Sequence, residues 1–200
     1  MARPQAPDFD QRRIHIVERA VHLFAERGFL GASVGDLAKA CKTSKSLFYH
    51  YFPSKEDVLF EAMDSHVRAL AHAAGNVAAM NVPAPQKLRA LTHSFMHLYL
   101  GAAAYHKVLL NEIAHLSMPR QKTIISRQRE LIEFVTGMLR EIQPRLEPAH
   151  LERAAAMIFF GMINWTHTWF KPEGPASADA IADLIADTII TGIKGFKKPG

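Results

Sequence analysis

Apolar positions recur at helical intervals along almost the whole chain. Ile16, Ala20, Leu23 and Phe24 fall at i, i+4, i+7 and i+8, one face of a helix. Gly28 ends that helix as a C′ residue. Ser33 opens a short second helix through Leu37, Ala38 and Ala40, with Asp36 three residues on in a capping-box-like position. Residues 41–43 form a turn, Ser44 caps a third short helix over 45–51, and Pro53 stops it. Ser54 caps a fourth helix whose first turn carries Glu56 and Asp57, where carboxylates suit the positive end of the dipole. Leu59, Met63, Val67 and Leu70 carry it to about residue 80. Further helices are predicted over 85–103, 105–116, 119–142 and 148–170, with Pro85, Pro119 and Pro148 at or near first-turn positions. Ser177 caps a last one that runs to about residue 193. No Asn-Gly or Asp-Gly hairpin signal interrupts the pattern. The expected fold is all-α: three short helices, a long fourth, and a larger bundle, about nine helices in all.

Composition narrows the class. A chain of 200 residues that is 48% apolar can bury a sizeable core, which excludes an intrinsically disordered chain. No apolar run approaches the ~18 residues of a membrane span. Residues 1–10 hold no apolar segment of the secretory type. Cys41 is the only cysteine, so a disulfide framework and a cysteine-based zinc site within one chain are excluded. The expected compartment is the cytoplasm. The net charge of +5 is unevenly placed: residues 1–55 hold nine basic and five acidic side chains. A basic patch there is a footprint for phosphate.

The segment 33–51, a short helix, a tight turn and a second short helix, has helix-turn-helix spacing. The second of these helices offers Ser44, Lys45, Ser46, Tyr49 and His50 on one side and Leu47, Phe48 and Tyr51 on the other. Donors opposite anchors are what a major-groove helix needs. The N-termini of the second and fourth helices add backbone N–H groups for phosphate, with Ser33 and Lys55 beside them. The plainer reading is a helical hairpin with a solvated face.

Beyond spacing, the residues themselves resemble a known family. The stretch from Arg13 through Phe24, Gly28 and Phe29 resembles the first helix of TetR-family repressors. Ser33-Val34-Gly35-Asp36-Leu37-Ala38-Lys39-Ala40 resembles the second, and Ser44-Lys45-Ser46-Leu47-Phe48-Tyr49-His50-Tyr51-Phe52-Pro53-Ser54-Lys55-Glu56 the recognition helix and the start of the fourth. The chain departs from the family in its turn, where Lys42-Thr43 replaces the usual Gly-Val, so Lys42 must adopt the left-handed region. Ser46 replaces a frequent glycine. The resemblance implies a homodimer on palindromic operator DNA, with a DNA-binding domain over 1–55 and a ligand-binding and dimerisation domain over 56–200. It places Tyr49 and Lys55 at phosphate contacts and Ser44, Lys45, Ser46 and His50 toward bases. Leu47 would meet a thymine methyl, and Ser33 and Thr43 complete the DNA-facing set.

The segment Gly161-Met162-Ile163-Asn164-Trp165-Thr166-His167-Thr168-Trp169-Phe170-Lys171-Pro172-Glu173-Gly174-Pro175 resembles the end of the eighth helix in a TetR branch that responds to acyl-CoA thioesters. That implies a small-molecule effector of this class, with Phe95, Tyr99, Asn111, Trp165 and Trp169 near its acyl part. Arg120, Lys122 and Arg127 would meet its phosphates, for which arginine is well suited. The alternatives are a free aromatic compound or drug in an apolar pocket, and a metal ion. His93 and His97 lie at i, i+4, and Glu112-x-x-His115 puts two more ligands on one face. A single Glu-x-x-His unit falls short of a di-iron set, so no metal or cofactor is assigned. No Gly-x-Ser-x-Gly, glycine-rich phosphate loop or His-Glu-x-x-His points to an enzyme. The last two helices are expected to form the dimer interface through Ile158 and Ile185 among others. Asp179, Asp183 and Asp187 make an acidic stripe that would keep the ninth helix off the DNA.

Overall fold

The structure, a computed structural model, describes residues 7–196. Among them it holds nine α-helices, two short 3₁₀ turns and no strand: α1 (Pro7–Gly31), α2 (Val34–Ala40), α3 (Lys45–Tyr51), α4 (Lys55–Ala78), α5 (Ala84–Gly101), α6 (Ala103–Asn111), α7 (Met118–Ile142), α8 (Glu152–Trp169) and α9 (Ala178–Lys194). The all-α architecture is the one the hydrophobic pattern predicts. The chain divides into two compact units. One contains residues up to His66 together with Ala104–Ile124; the other contains Val67–Ala103 and the chain from Ile125 onward. α4 and α7 are continuous helices with a part in each.

In the first unit α1, α2 and α3 enclose Ala20, Phe24, Leu37, Phe48 and Phe52, all essentially without solvent exposure. Each of the leucine and phenylalanine side chains stabilises by roughly 1.5–3 kcal/mol relative to exposure. The helix ends follow local chemistry. α1 breaks at Gly28, whose φ of 75° and ψ of 162° belong to glycine alone. Ser33 and Asp36 form a reciprocal capping box on α2. After α2 the chain turns left-handed at Lys42, φ 52°, while the Thr43 N–H donates to Ala38 O, which is the Schellman closure. Ser44 accepts from Leu47 N–H to cap α3, and Ser54 accepts from Asp57 N–H at the start of α4.

The second unit buries Leu88, Leu91, Phe95 and Met96 of α5 with Ala156, Phe159 and Ile163 of α8 and Ala182 and Ala186 of α9. Small residues on α8 and α9 allow close helix approach. Buried hydroxyls are satisfied locally: Thr92 donates to Leu88 O and Thr136 to Ile132 O.

Several expectations need correction. The helix expected over 105–116 ends at Asn111, and a 3₁₀ turn over Ile113–His115 follows. Pro148 lies in a second 3₁₀ turn, Pro144–Ala149, and α8 begins only at Glu152. Leu47, read as an inward residue of α3, is 38% exposed. Ile185 is buried within the chain, whereas Ile158 is 58% exposed. The acidic stripe of α9, expected to face away from DNA, is engaged within the chain: Asp183 and Asp187 both bind Arg89 of α5, and Asp179 and Asp183 meet His93.

Candidate DNA interface and effector domain

α3 is seven residues long and is held by a single fully buried side chain, Phe48. Its last turn is braced by rings. Phe9 of α1 lies 4.7 Å from the Tyr51 ring and 5.9 Å from His50, centroid to centroid. With Phe48 inward, Ser44, Lys45, Ser46, Leu47, Tyr49 and His50 all face solvent, Tyr49 at 50% exposure. The helix therefore presents hydroxyls, an ammonium, an imidazole, a phenol and one apolar side chain on one surface. This is a set that can donate to phosphate oxygens and base edges and touch a methyl group. Ser44 has a second duty as the N-cap, while Ser46 has no partner of its own in the described residues and is free to contact DNA.

The flanking candidates are placed differently. Thr43 is half-buried, and its hydroxyl oxygen is buried without a hydrogen-bond partner among the described residues. Ser33 is exposed and engaged with Asp36 in the capping box. Lys55 donates to Phe29 O at 2.9 Å and Ala32 O at 3.1 Å, and its ammonium lies 4.2 Å from the Phe29 ring centroid. Two of its three protons thus secure the end of α1, and the third remains for solvent or phosphate.

The same region of the first unit carries a polar bracket that sequence reasoning missed. The Phe29 N–H donates to Glu112 at 3.1 Å, and the His115 imidazole stacks on the Phe29 ring at 5.3 Å. The Ser117 N–H donates to Glu56 at 2.9 Å. Arg120 bridges Glu56, at 3.3 Å, and Asp57. Burial pushes the Asp57 carboxyl up, but hydrogen bonds from Ser54 and Arg120 outweigh it and hold the group below the ordinary carboxylate range. The Ser117 N–H lowers Glu56 in the same way. Glu112 and His115 therefore brace the head. Deeper in this unit, His66 of α4 faces His106 of α6, ring nitrogens 3.3 Å apart. Burial pulls His66 down to about 4, so the imidazole is neutral at physiological pH.

The residues expected at an effector scatter over distinct surroundings. Asn111 is exposed and donates its amide to Lys107 O. Arg120 belongs to the bracket just described, and Lys122 is exposed. In the second unit Phe95 stacks on Tyr99 at 6.0 Å and lies tilted against Phe160 at 6.3 Å, all buried, with the Tyr99 hydroxyl raised by burial. Arg127 is half-buried on α7. Trp165 and Trp169 point outward. With Ile158, Met162, Ile181 and Leu184 they line an open apolar concavity of about 520 Å³ between α8 and α9. Beside them, the Asn164 side-chain oxygen is buried without a donor among the described residues. The Asn-Trp dipeptide was the available signal for it.

Together these features define a helix-turn-helix DNA-binding protein with an all-α effector domain. Residues 16–62 match the bacterial regulatory proteins, tetR family, and residues 81–193 match the tetracyclin repressor-like, C-terminal domain. The chain belongs to the TetR family, whose members are ligand-responsive transcriptional repressors and not enzymes. A TetR-family regulator from Bordetella parapertussis is 35% identical, with a TM-score of 0.85 over 94% of this chain and 98% of that one. The transcriptional repressor KstR2 of Rhodococcus jostii is 23% identical over 185 residues, 91% of each chain. AibR, solved in complex with isovaleryl coenzyme A and operator DNA, is 26% identical, with a TM-score of 0.77 over 88% of this chain and 97% of that one. Among the described residues no helix is long and apolar enough to cross a membrane.

Proposed function

We propose that this chain binds palindromic operator DNA as a cytoplasmic homodimer through residues 1–55, and that an acyl-CoA thioester held by residues 56–200 releases it. The DNA reading rests on α3, which sinks Phe48 and turns six chemically varied side chains to solvent. Tyr49 and the exposed Lys45 contact phosphate, Lys45 taking the place expected of Lys55, whose ammonium is engaged by Phe29 O and Ala32 O, while Ser46 and His50 read bases. The homodimer reading rests on the outer face of α8 and α9. Ile158, Trp165, Trp169 and Leu184 are all at least half exposed there, too large an apolar cluster to leave in water. A second copy of the same face covers it about a two-fold axis. Trp165 and Trp169 are accordingly assigned to the interface.

Support for the thioester comes from the AibR complex with isovaleryl coenzyme A, a structure that resembles this chain over most of its length. It comes also from the second unit itself. Phe95, Tyr99 and Met96 make an adaptable apolar interior, and the buried Asn164 oxygen awaits a donor. Release is a population shift: the ligand binds the DNA-incompetent arrangement better than the competent one. A ratio of about 100 weakens DNA binding by about 2.7 kcal/mol, enough for derepression. α4, continuous from the head into the effector domain, is the mechanical link.

The test is a gel shift of operator DNA with acetyl-, phenylacetyl- and long-chain acyl-CoA, each beside its free acid. Release by a thioester and not by the acid supports the reading. Release by free aromatic acids alone replaces it with an aromatic- or drug-responsive repressor.

A further inference from the structure

One cluster in the second unit has no part in DNA or effector binding. Arg89, His93 and His97 stand at four-residue intervals on α5, and Asp179, Asp183 and Asp187 at four-residue intervals on α9, so the two helices face each other as antiparallel ladders. His93 Nδ1 is 3.1 Å and His97 Nε2 2.8 Å from Asp179 Oδ1. Donor atoms of these three residues all lie within 4.8 Å of one another. Around an ion with bonds of about 2.0–2.1 Å, donors sit roughly 3–4 Å apart, so small side-chain rotations close the set.

The surroundings match what a metal-binding imidazole requires. A ligating histidine donates its other ring N–H to a carboxylate, which fixes the tautomer and strengthens the ligand. Here His93 Nε2 lies 2.9 Å from Asp183 Oδ1, and Arg89 anchors the same oxygen at 2.6 Å. That leaves Nδ1 turned toward His97 and Asp179. Charge points the same way. With neutral imidazoles, three carboxylates face one guanidinium, leaving two negative charges that one divalent ion cancels.

We propose that His93, His97 and Asp179 bind a borderline divalent transition-metal ion of the zinc class, with Asp183 and Arg89 as the supporting layer. Two imidazole nitrogens and one carboxylate select such an ion over Mg²⁺ or Ca²⁺, which favour all-oxygen shells. Water completes the coordination, because the cluster lies at the surface. The bound ion staples the first turn of α9 to α5 and stiffens the helix that carries the outer apolar face.

The experiment uses the full, tag-free chain after chelator treatment and gel filtration. Co²⁺ titration followed by visible absorption reports nitrogen–oxygen coordination. Zn²⁺ affinity is measured by calorimetry, and thermal shift is recorded with Zn²⁺ and with Mg²⁺. His97→Ala is the main variant, because His97 is largely exposed and among the described residues bonds only Asp179. The expected results are a Co²⁺ d–d band and a Zn²⁺-specific rise in Tm in the wild type. His97→Ala should lose at least about 100-fold in affinity, and Asp183→Asn about 10–100-fold. A proton can bridge the same groups in place of a metal, and then the wild type gives no d–d band and no Zn²⁺ response. That result overturns the proposal, as does equal Zn²⁺ affinity in wild type and His97→Ala. Neither outcome depends on whether a thioester releases DNA.

Discussion

Lowering the pH from 7.5 to 5.0 is expected to weaken the native state by about 2 kcal/mol through one residue, His66. It is only 4% exposed, packed between α4 and α6 with its ring nitrogen facing His106. Burial holds it at about 4 in the folded chain, against an ordinary value of 6.5 in the unfolded one. The folded state therefore resists a proton that the unfolded chain accepts, and the unfolded chain gains as pH falls. Stability from this residue is complete above pH 6.5 and is lost as the pH drops toward 4. Linkage over 7.5 to 5.0 gives about 2 kcal/mol for a displacement of this size. Urea unfolding followed by helical circular dichroism at several pH values, in wild type and His66→Gln, isolates the effect from the other ten histidines. The wild type should lose about 2 kcal/mol more than the variant between the two ends of the range. Parallel curves for the two proteins would refute the assignment of the buried neutral imidazole.

At the DNA face, Lys45→Ala should lower the slope of log affinity against log salt by about 0.9, one phosphate contact's worth. Ser46→Ala should change base preference with the slope intact, as read by binding to a randomised operator library. At the outer face of α8 and α9, Ile158→Glu or Leu184→Glu should yield a folded monomer in sedimentation, whereas Ile185→Glu, buried within the chain, should unfold it. In the turn, Lys42→Gly should raise unfolding free energy by about 1 kcal/mol, because φ 52° strains any side chain. An unchanged or lower stability in urea would show that Lys42 makes compensating contacts.

Helix identity was legible because it depends on local periods and caps: Ser33, Ser44, Ser54 and Ser177 each mark an observed start. The recognition helix was legible as a set of exposed polar types, apart from Leu47. A seven-residue helix anchored by one phenylalanine leaves its neighbours outside, and an apolar side chain alone does not reveal that. What stayed hidden was long-range. Nothing near Arg120 in sequence indicates that Asp57 and Glu56, some sixty residues earlier, claim it before any ligand can. Trp165 and Trp169 carry the same periodicity whether a helix faces inward or outward. One long-range pairing did leave a trace: residues 89, 93 and 97 and residues 179, 183 and 187 repeat every four positions with opposite chemistry.

The bracket around Phe29 bears on how such proteins can diversify. The unit that holds the recognition helix is discontinuous, built from the first sixty-odd residues and from Ala104–Ile124. Grafting only the N-terminal segment onto a foreign effector domain would strip the Phe29 N–H of Glu112 and deprive Glu56 and Asp57 of the Ser117 N–H and Arg120. Operator preference in this chain is therefore not a transplantable cassette. A functional chimaera must carry the α6–α7 junction with the head, and recombination between relatives is constrained to breakpoints that keep the two segments of common parentage.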